Sequence, residues 1–312
     1  MLTTSRHVLL PDPPHYVWDN SLAPRLIIQD GDTVTFETRD AADLHFSFDS
    51  TTADVATYEF RGHPLTGPVL IEGARPGSVL EVEVLDVQPD SFGWTAILPG
   101  YGLLQEDFTE PYLRTWDLSD GKNARLGDRF RIPLAPFCGV MGVALAEPGE
   151  HPTIPPRRTG GNMDIRQLVA GSTLYLPVEV DGALFSVGDA HAAQGDGEVC
   201  VSAIEMSSTV TLRFRVRSDL SFQEPQFQTP GMRSLGSSGP AYVTTANGPD
   251  LLASTKQAVR YMLGHLERTY GLSRFDAYCL ASVAVDLKIS EVVDAPNWIV
   301  SAFLPLEIVA SN

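Results

Sequence analysis

The densest group of side chains that could do chemistry lies between residues 188 and 198. Asp189, His191, Gln194, Asp196 and Glu198 stand there, separated mainly by glycines and alanines. Apolar runs precede and follow the segment, so we expect a glycine-rich loop between two buried strands, where binding groups are commonly presented. Asp189 and His191 are two residues apart, so both project to the same side of an extended chain, as ligands of a zinc-type site can. A solvated acidic turn is the alternative interpretation.

A second polar segment, residues 160–166, contains two successive glycines followed by Asn162 and Asp164. Successive glycines permit a tight turn or a close approach of the backbone to a ligand. Asp164 could therefore supply a third metal ligand from another strand end. The alternative is a local salt bridge between Asp164 and Arg166 within a turn.

Isolated candidates stand elsewhere in the chain. His63 precedes a proline, which favours an extended backbone and suits a ligand or a general base, although a structural histidine is the alternative. Cys138 could be a nucleophile, but no histidine next to it in the sequence suggests activation, and free cysteines in apolar stretches commonly serve packing. His45 stands among three aspartates, which leaves a surface metal site or a salt bridge open there.

Short strands joined by turns must position these side chains, since the chain contains 26 glycines and 23 prolines. Stretches of strand length, several with alternating apolar residues, occupy residues 26–28, 33–38, 69–71, 79–84, 173–180, 210–216 and 298–306. Alternation places one face of a strand on a core and leaves the other in water. Two of these stretches are each followed by a tight glycine turn and a second strand, which favours a β-sandwich.

The C-terminal part has a different pattern. Residues 251–270 have apolar positions close to helical spacing, with Asp250 as N-cap and Gly271 as C-cap, which predicts a helix. Residues 218–239 are polar and predict a long loop or boundary, and residues 277–285 are helical or extended. We predict a mainly β fold of sandwich or barrel-like units with an α+β C-terminal part. The predicted units are a β-sandwich-like unit 1–130, a β unit 131–217 that carries the site, and the α+β part 218–312.

Charge and cysteine content narrow the class of partner and the compartment. The 312-residue chain has 39 acidic and 22 basic side chains, a formal net charge of −17, which repels nucleic acid and anionic membranes. No apolar run approaches the roughly 20 residues of a membrane span, and no signal peptide can be read. The three cysteines lack paired spacing, which is typical of a reducing compartment. We expect a cytoplasmic protein that binds a neutral or cationic small molecule.

Several of these motifs together resemble the acetamidase/formamidase family, and the resemblance extends from about Val17 to Leu306. It is carried by Gly160-Gly161-Asn162-Met163-Asp164, Gly188-Asp189-x-His191-Ala-x-Gln194-Gly-Asp196-Gly-Glu198, His63-Pro64-Leu65-Thr66-Gly67-Pro68 with Glu72-Gly73-Ala74, and Pro136-Phe137-x-Gly139-x-Met141-Gly142. The resemblance implies hydrolysis of short carboxamides such as formamide or acetamide, a mainly β fold with an α+β C-terminal part, and a homo-oligomer. Residues 40–45 depart from the family's pattern, which leaves the amide and any role of His45 open.

Amide hydrolysis needs an activated water, a polarised carbonyl and a protonated leaving nitrogen, and a divalent metal supplies the first two. We predict that Asp164, Asp189 and His191 bind the ion, which is zinc because a histidine is among the ligands. Glu198 is the predicted general base and later the acid, with His63 and Asp196 as further catalytic groups that orient the amide or the ligands.

Gln194 and Asn162 are assigned to binding of the amide substrate. Calcium remains an alternative to zinc, and it would select an all-oxygen set of Asp189, Gln194, Asp196 and Glu198. Three other functions stay open: hydrolysis of another C–N bond such as a lactam or a formylated amine, a non-catalytic metal-binding β protein, and a cysteine hydrolase that uses Cys138.

Overall fold

The computed structural model of the protein describes residues 4–128, 130–230, 239–274, 277, 280–281, 285–306 and 309. The strands are β1 (Arg6–Leu9), β2 (Val17–Trp18), β3 (Leu26–Ile28), β4 (Thr33–Thr38), β5 (Thr66–Ile71), β6 (Val79–Pro89), β7 (Phe92–Ile97), β8 (Tyr112–Asp117), β9 (Asn123–Leu126), β10 (Phe130–Pro133), β11 (Phe137–Gly142), β12 (His151–Pro152), β13 (Gly160–Asn162), β14 (Thr173–Pro177), β15 (Phe185–His191), β16 (Glu205–Met206), β17 (Ser208–Arg217), β18 (Gln226–Thr229), β19 (Ala241–Gly248), β20 (Asp286–Glu291) and β21 (Trp298–Pro305). Two helices have both ends within the described residues, α1 (Thr52–Val55) and α2 (Leu251–Tyr270).

Most of the strands form two sheets. A nine-stranded sheet has the order β1-β4-β17-β6-β14-β18-β19-β21-β20, and an eight-stranded sheet has the order β13-β11-β15-β16-β7-β8, with β5 beside β15 and β3 beside β5. The sheets pack face to face, because the ring of Phe185 from β15 contacts Phe36 of β4 and Phe214 of β17 at centroid distances of 6.0 and 5.0 Å. The predicted mainly β, sandwich-like fold is confirmed.

The two strand–turn–strand units that favoured a sandwich carry the chain from one sheet to the other. β3 and β5 are parallel neighbours in the eight-stranded sheet, whereas the strands that follow them, β4 and β6, both flank β17 in the nine-stranded sheet. Gly31 and Gly77 lie in the two turns with φ of 96° and 89°. Only glycine adopts this left-handed backbone without strain, so these positions allow the chain to change sheets abruptly.

Helix α2 covers the outer face of the nine-stranded sheet near its C-terminal strands. Its ends are those predicted: Asp250 accepts a hydrogen bond from the backbone N–H of Ala253 at 2.7 Å, and Gly271 has a left-handed φ of 67°. The buried face of the helix packs against side chains of β19 and β21. The α+β character of the C-terminal part is therefore confirmed.

Some predicted boundaries were wrong. Residues 188–191 belong to β15 and not to a loop, and of the tight turn or close backbone approach allowed for the double glycine, Gly160–Asn162 form strand β13, in which Gly160 lies close to the backbone of β11. Every residue of β15 is buried, so no alternation marked where that strand ends. The apolar run 199–204, expected to be a strand, contains none. Conversely, strand β18 lies inside the predicted loop 218–239. Residues 231–238 of that loop lie outside the described residues, and so does most of segment 277–285.

The nine-stranded sheet takes strands from all three predicted units, since β1, β14 and β21 all belong to it. The division of the chain at residues 130 and 217 therefore stays a prediction. In the described part of the chain, no helix combines the length and the apolar character that crossing a membrane would need.

Candidate active site

Side chains from separate segments meet at the C-terminal end of β15. Asp189 and His191 belong to β15, Asp164 follows β13, Glu198 lies in the loop between β15 and β16, and Glu205 belongs to β16. All five residues are buried, with exposures of 7% or less. The sequence predicted that two segments would converge, and the structure brings them together and adds a third.

His191 lies at the centre of this carboxylate–histidine cluster. Its Nε2 is 3.1 Å from Glu205 Oε2, 3.3 Å from Asp189 Oδ1 and 3.9 Å from Glu198 Oε1. Its Nδ1 is 3.8 Å from Asp164 Oδ1. Ligand atoms of Asp164, His191 and Glu198 lie within 4.8 Å of one another, as do those of Asp189, His191 and Glu205. These two groups share His191, and either could hold a metal ion.

Gln194 determines which nitrogen of His191 carries hydrogen. The amide nitrogen of Gln194 donates to the backbone carbonyl of Asp164 at 2.7 Å, so its Oε1 faces His191 Nδ1 at 2.8 Å. Because an amide oxygen can only accept, Nδ1 must be the donor. In the neutral ring Nε2 then has the free lone pair, and Nε2 is the atom that faces Asp189, Glu198 and Glu205.

His63 and Asn162 border the same cluster. His63 Nε2 is 3.8 Å from Asp189 Oδ2, and its Nδ1 is 3.1 Å from the hydroxyl of Thr153. The amide nitrogen of Asn162 donates to the carboxylate of Asp294, while its Oδ1 is buried and has no partner. Asn162 therefore presents an unsatisfied acceptor beside the cluster.

Three acidic residues of this region were missed by sequence reasoning. Glu205 touches His191, Asp294 touches Asn162, and Glu291 accepts hydrogen bonds from the backbone N–H groups of residues 293 and 294. Glu205 and Glu291 are 3% and 0% exposed. A carboxylate inside an apolar run was the available signal for Glu205, because such a residue is rarely buried without a partner.

Other candidates lie apart from the cluster. Asp196 accepts a hydrogen bond from Gln167 at 2.7 Å and lies 3.8 Å from Lys288 Nζ, so its carboxylate is engaged elsewhere. Within the described residues, Asp164 forms no salt bridge with Arg166, contrary to the alternative interpretation. Burial raises the pKa of the Cys138 thiol to about 12, which argues against a nucleophilic thiolate.

Burial disfavours the charged form of every group in the cluster, repulsion between carboxylates adds to this effect, and attraction between carboxylates and histidines opposes it. Burial, reinforced by Asp189, raises the pKa of Glu205 to about 8, and burial together with Asp164 raises the pKa of Glu198 well above its usual value. Burial favours neutral His191, but Glu205 and Asp189 outweigh it and raise the pKa of the imidazole. Burial likewise opposes ionisation of Asp189, but the neighbouring histidines lower its pKa below the usual value.

The cluster has more acceptor atoms than donors to satisfy them. Both carboxylate oxygens of Asp164 are buried without an N–H donor, and Asp164 shares a hydrogen bond with the carboxyl of Asp294 instead. Gly139 leaves the necessary space, since a Cβ there would lie 2.3 Å from Asp164 Oδ1 and 2.8 Å from His191 Cε1. Buried unpaired carboxylates are costly, so this donor set fits a bound cation.

The backbone at three of these carboxylates is in an unusual conformation. Asp164, Asp189 and Glu198 have φ angles of 46°, 51° and 47°, a left-handed region that residues other than glycine rarely adopt. Such strain, of order 1–3 kcal/mol per residue, is concentrated at functional sites because the surrounding structure must enforce it. The three side chains are thereby aimed at His191.

The cluster forms the inner end of a cavity of about 510 Å³. Asp164, Asp189, Glu198, Glu205 and Asp294 line this end, and the other walls are mainly apolar. A second cavity of about 770 Å³ lies beyond the 195–204 loop and shares Glu198 and Ser202 with the first. A cavity with a few converging polar groups is the usual form of an enzyme site.

A β-sandwich with buried carboxylates and histidines at the inner end of a cavity has the features of a hydrolase. The chain belongs to the acetamidase/formamidase family, whose family model matches residues 6–149 and 144–311. Membership confirms the family predicted from the motifs and the predicted class of enzyme, an amide hydrolase. Membership in a family of amide hydrolases also argues against the alternative of a non-catalytic metal-binding protein.

Known proteins resemble the chain over nearly its whole length. An acetamidase from Bacillus halodurans, known from a crystal structure, has 33% sequence identity to this chain. Its structure matches with a TM-score of 0.87, and the match covers 96% of this chain and 97% of that chain. The formamidase of Methylophilus methylotrophus has 26% sequence identity, and the match covers 94% of this chain and 89% of the formamidase. The structure of a γ-lactamase from Delftia acidovorans has 25% sequence identity and a TM-score of 0.69. The match covers 98% of this chain and 94% of that chain.

Proposed function

We propose that the protein hydrolyses short carboxamides of the formamide or acetamide type to carboxylate and ammonia, with a divalent cation held by Asp164, Asp189 and His191. The observation that carries the proposal is the convergence of buried carboxylates on His191, with Asp164 lacking any N–H donor and Asp189 lying 3.3 Å from His191 Nε2. A cation would compensate a cluster in which carboxylates outnumber imidazoles. Family membership independently supports the amide as substrate.

The ligand set can be refined from the orientation of His191. Its Nε2 faces Asp189 and Glu205, which supports adding Glu205 to the predicted ligands. A mixed set of one imidazole and several carboxylates favours zinc over calcium, which prefers oxygen ligands alone. A bound divalent cation supplies Lewis-acid polarisation of the carbonyl and lowers the pKa of water.

The chain's own residues supply binding, orientation and proton transfer. Glu198 faces the cavity and takes the proton of the attacking water, then delivers it to the leaving nitrogen as the C–N bond breaks. Asn162 Oδ1 lacks a partner and accepts a hydrogen bond from the substrate NH₂ group. His63 orients the amide from the cavity wall, and Gln194 orients His191 instead of the substrate. Asp196 has no role in this mechanism.

Compartment and assembly follow as further parts of the proposal. The free thiols of Cys138 and Cys200 support a reducing, cytoplasmic location. Tyr101, Leu103 and Phe108, each about half exposed on one loop, support a homo-oligomer in which a second copy covers them.

Hydrolysis of a lactam is the second candidate function. The resemblance to the γ-lactamase of Delftia acidovorans favours it, because a lactam contains the same C–N bond within a ring. Comparison of acetamide with a five-membered lactam under identical conditions distinguishes the two candidates, since a linear-amide hydrolase turns over the first faster.

Replacement of His191 by Ala tests the cation and the chemistry together. We expect His191→Ala to lose bound metal and to reduce ammonia release from acetamide by more than the roughly 10- to 100-fold loss typical of an outer-shell change. Metal analysis and an ammonia assay measure both, with and without chelator. His151→Ala is the matched control, because within the described part of the chain the His151 side chain hydrogen-bonds only the backbone oxygen of Glu147, at 3.0 Å. This substitution should leave both values unchanged. Full activity of metal-free protein would remove the cation from the mechanism.

A further inference from the structure

The cavity is much larger than the simplest amides require. Acetamide has four non-hydrogen atoms, and at roughly 30 Å³ each, the volume of one liquid water, it occupies about 120 Å³. The cavity that ends at the carboxylate–histidine cluster has a volume of about 510 Å³. Cavities of this size enclose molecules with many more atoms. Space therefore remains on the side of the cavity opposite the cluster.

The remaining space is enclosed by apolar side chains. Helix α1 and the segment after it contribute part of the wall, and the end of β7 with the following loop contributes another part. The apolar side chains of the wall include Val55, Tyr58, Phe60, Trp94, Leu98 and Ile154. We name this set the acyl wall. Apolar walls bind apolar groups because they remove them from water.

The aromatic members of the acyl wall are held in place before any ligand binds. The indole nitrogen of Trp94 donates to Asp40 at 3.2 Å, and the hydroxyl of Tyr58 donates to the backbone oxygen of residue 41 at 3.2 Å. Phe46 packs against both rings from behind, at centroid distances of 4.9 and 5.6 Å. Phe60 stands edge-on to His63 at 5.1 Å, which joins the acyl wall to the cluster. A preorganised wall costs little ordering entropy on binding.

The charge of the cavity restricts the substrate further. Five carboxyl groups line it, and no lysine or arginine is among the lining residues that the structure describes. A carboxylate on the acyl group of the substrate would therefore find no lysine or arginine to pair with among these residues, and it would lose its hydration against apolar side chains.

From the size, the walls and the charge together, we propose that the preferred substrates are uncharged primary amides with a bulky apolar acyl group, such as an arylacetamide, whose ring packs on the acyl wall. This inference rests on the proposed amide hydrolysis, and it replaces the short acyl group of that proposal with a bulky apolar one. The carbonyl carbon lies at the cluster, where its bond to nitrogen breaks and a bond to the water oxygen forms. The leaving nitrogen takes a proton and departs as ammonia.

A panel of matched amides tests the proposal with the wild-type protein. We expect kcat/KM for phenylacetamide to exceed that for acetamide by about 100-fold, because burial of a phenyl ring stabilises the transition state by its apolar area. 4-Carboxyphenylacetamide has the same ring with a negative charge, and its kcat/KM should be at least about tenfold below that of phenylacetamide. Equal or faster turnover of acetamide would overturn the proposal.

A pair of substitutions locates the binding of the ring. Leu98→Asp puts a charge into the acyl wall, so the ratio of kcat/KM for phenylacetamide to that for acetamide should fall by at least about tenfold. Leu252→Asp is the matched control, since Leu252 is 63% exposed, lies on helix α2 and is not among the residues that line the active-site cavity. Thermal unfolding of both variants checks that they are folded. An unchanged ratio in folded Leu98→Asp contradicts the acyl wall.

Binding without turnover separates this inference from the proposed function. Calorimetric titration of chelator-treated wild-type protein should detect phenylacetamide binding at concentrations where acetamide produces no heat. If phenylacetamide binds but no amide is hydrolysed, the hydrolase proposal fails and the acyl wall stands. If acetamide is hydrolysed and phenylacetamide does not bind, the acyl wall fails and the hydrolase proposal stands.

Discussion

At the residue scale, the site depends on positions where the backbone leaves no freedom for substitution. Gly139 lies on β11, directly beneath the carboxylate of Asp164 and the ring of His191. The side chains of Asp164, His191 and Asp189 fill the space that a Cβ at residue 139 would need, with the nearest atom of each within 3.0 Å of it. The predicted ligands and a glycine from another motif of the family resemblance thus form one packed unit.

Gly139→Ala should therefore damage the site without unfolding the protein. The added Cβ would lie 2.3 Å from Asp164 Oδ1, so the carboxylate must move away from His191. We expect a loss of ammonia release of roughly 100-fold and weaker metal binding, because displacements of about 1 Å have effects of this size. Kinetics and metal titration measure both.

Gly195→Ala is the control for this substitution, since a Cβ at residue 195 meets nothing within 4 Å. It should retain the activity and metal affinity of the wild type. Wild-type activity in Gly139→Ala would show that the packing around Asp164 does not matter for catalysis.

At the scale of elements, the strands that carry the candidate site are different from the helix that packs on the C-terminal strands. β11 and β15 are buried along their whole length and hold the cluster. Helix α2 packs instead on β19 and β21 through its own apolar cluster. Because α2 contributes no residue to the lining of the active-site cavity, its stability can change while the geometry of the site stays the same.

Asp250→Ala tests that separation. Loss of the hydrogen bond from the N–H of Ala253 to the Asp250 side chain should lower the free energy of unfolding by about 1 kcal/mol. Denaturant unfolding measures the change, and kcat/KM for acetamide should stay at the wild-type value. Asp250→Asn retains an N-cap acceptor and should keep most of the stability. An activity loss in folded Asp250→Ala would mean that α2 is coupled to the site.

At the scale of the whole molecule, carboxyl groups are also buried outside the active site, and Glu224 is the example whose ionisation should affect stability. Glu224 accepts hydrogen bonds from the backbone and the side chain of Asn247, both at 2.8 Å, and from the hydroxyl of Tyr261 at 3.3 Å. Burial outweighs these bonds and raises the pKa of Glu224 to about 7. Folding therefore binds a proton at this residue whenever the pH lies between the unfolded and the folded pKa.

The pH dependence of the free energy of unfolding should report the proton that the folded state binds at Glu224. Below about pH 4.5 the Glu224 carboxyl is protonated in both states, whereas between about pH 4.5 and 7 only the folded state keeps the proton. The free energy of unfolding should thus fall as the pH rises through this range. In Glu224→Gln the fall between pH 5 and 8 should be smaller by on the order of 2 kcal/mol. Denaturant unfolding at several pH values measures it, and identical pH profiles would contradict the assignment.

The sequence by itself determined what depends on neighbours along the chain. Alternating apolar residues defined β4, β6 and β17, and helical spacing with two caps defined α2. Asp164, Asp189, His191 and Glu198 stood out because polar side chains were concentrated in glycine-rich segments that resemble one family. These features required no knowledge of which segments meet.

Only the tertiary structure decided which groups share one site. Glu205 and Asp294 lie 14 and 103 residues from His191 in the sequence, and Asp196, which is much closer in the sequence, points to Gln167 instead. The end of β15 was equally hidden, because a strand buried on both faces has no alternation. Contacts between sheets depend on how whole strands pack, and packing also sets the size of the cavity and therefore the acyl group that fits.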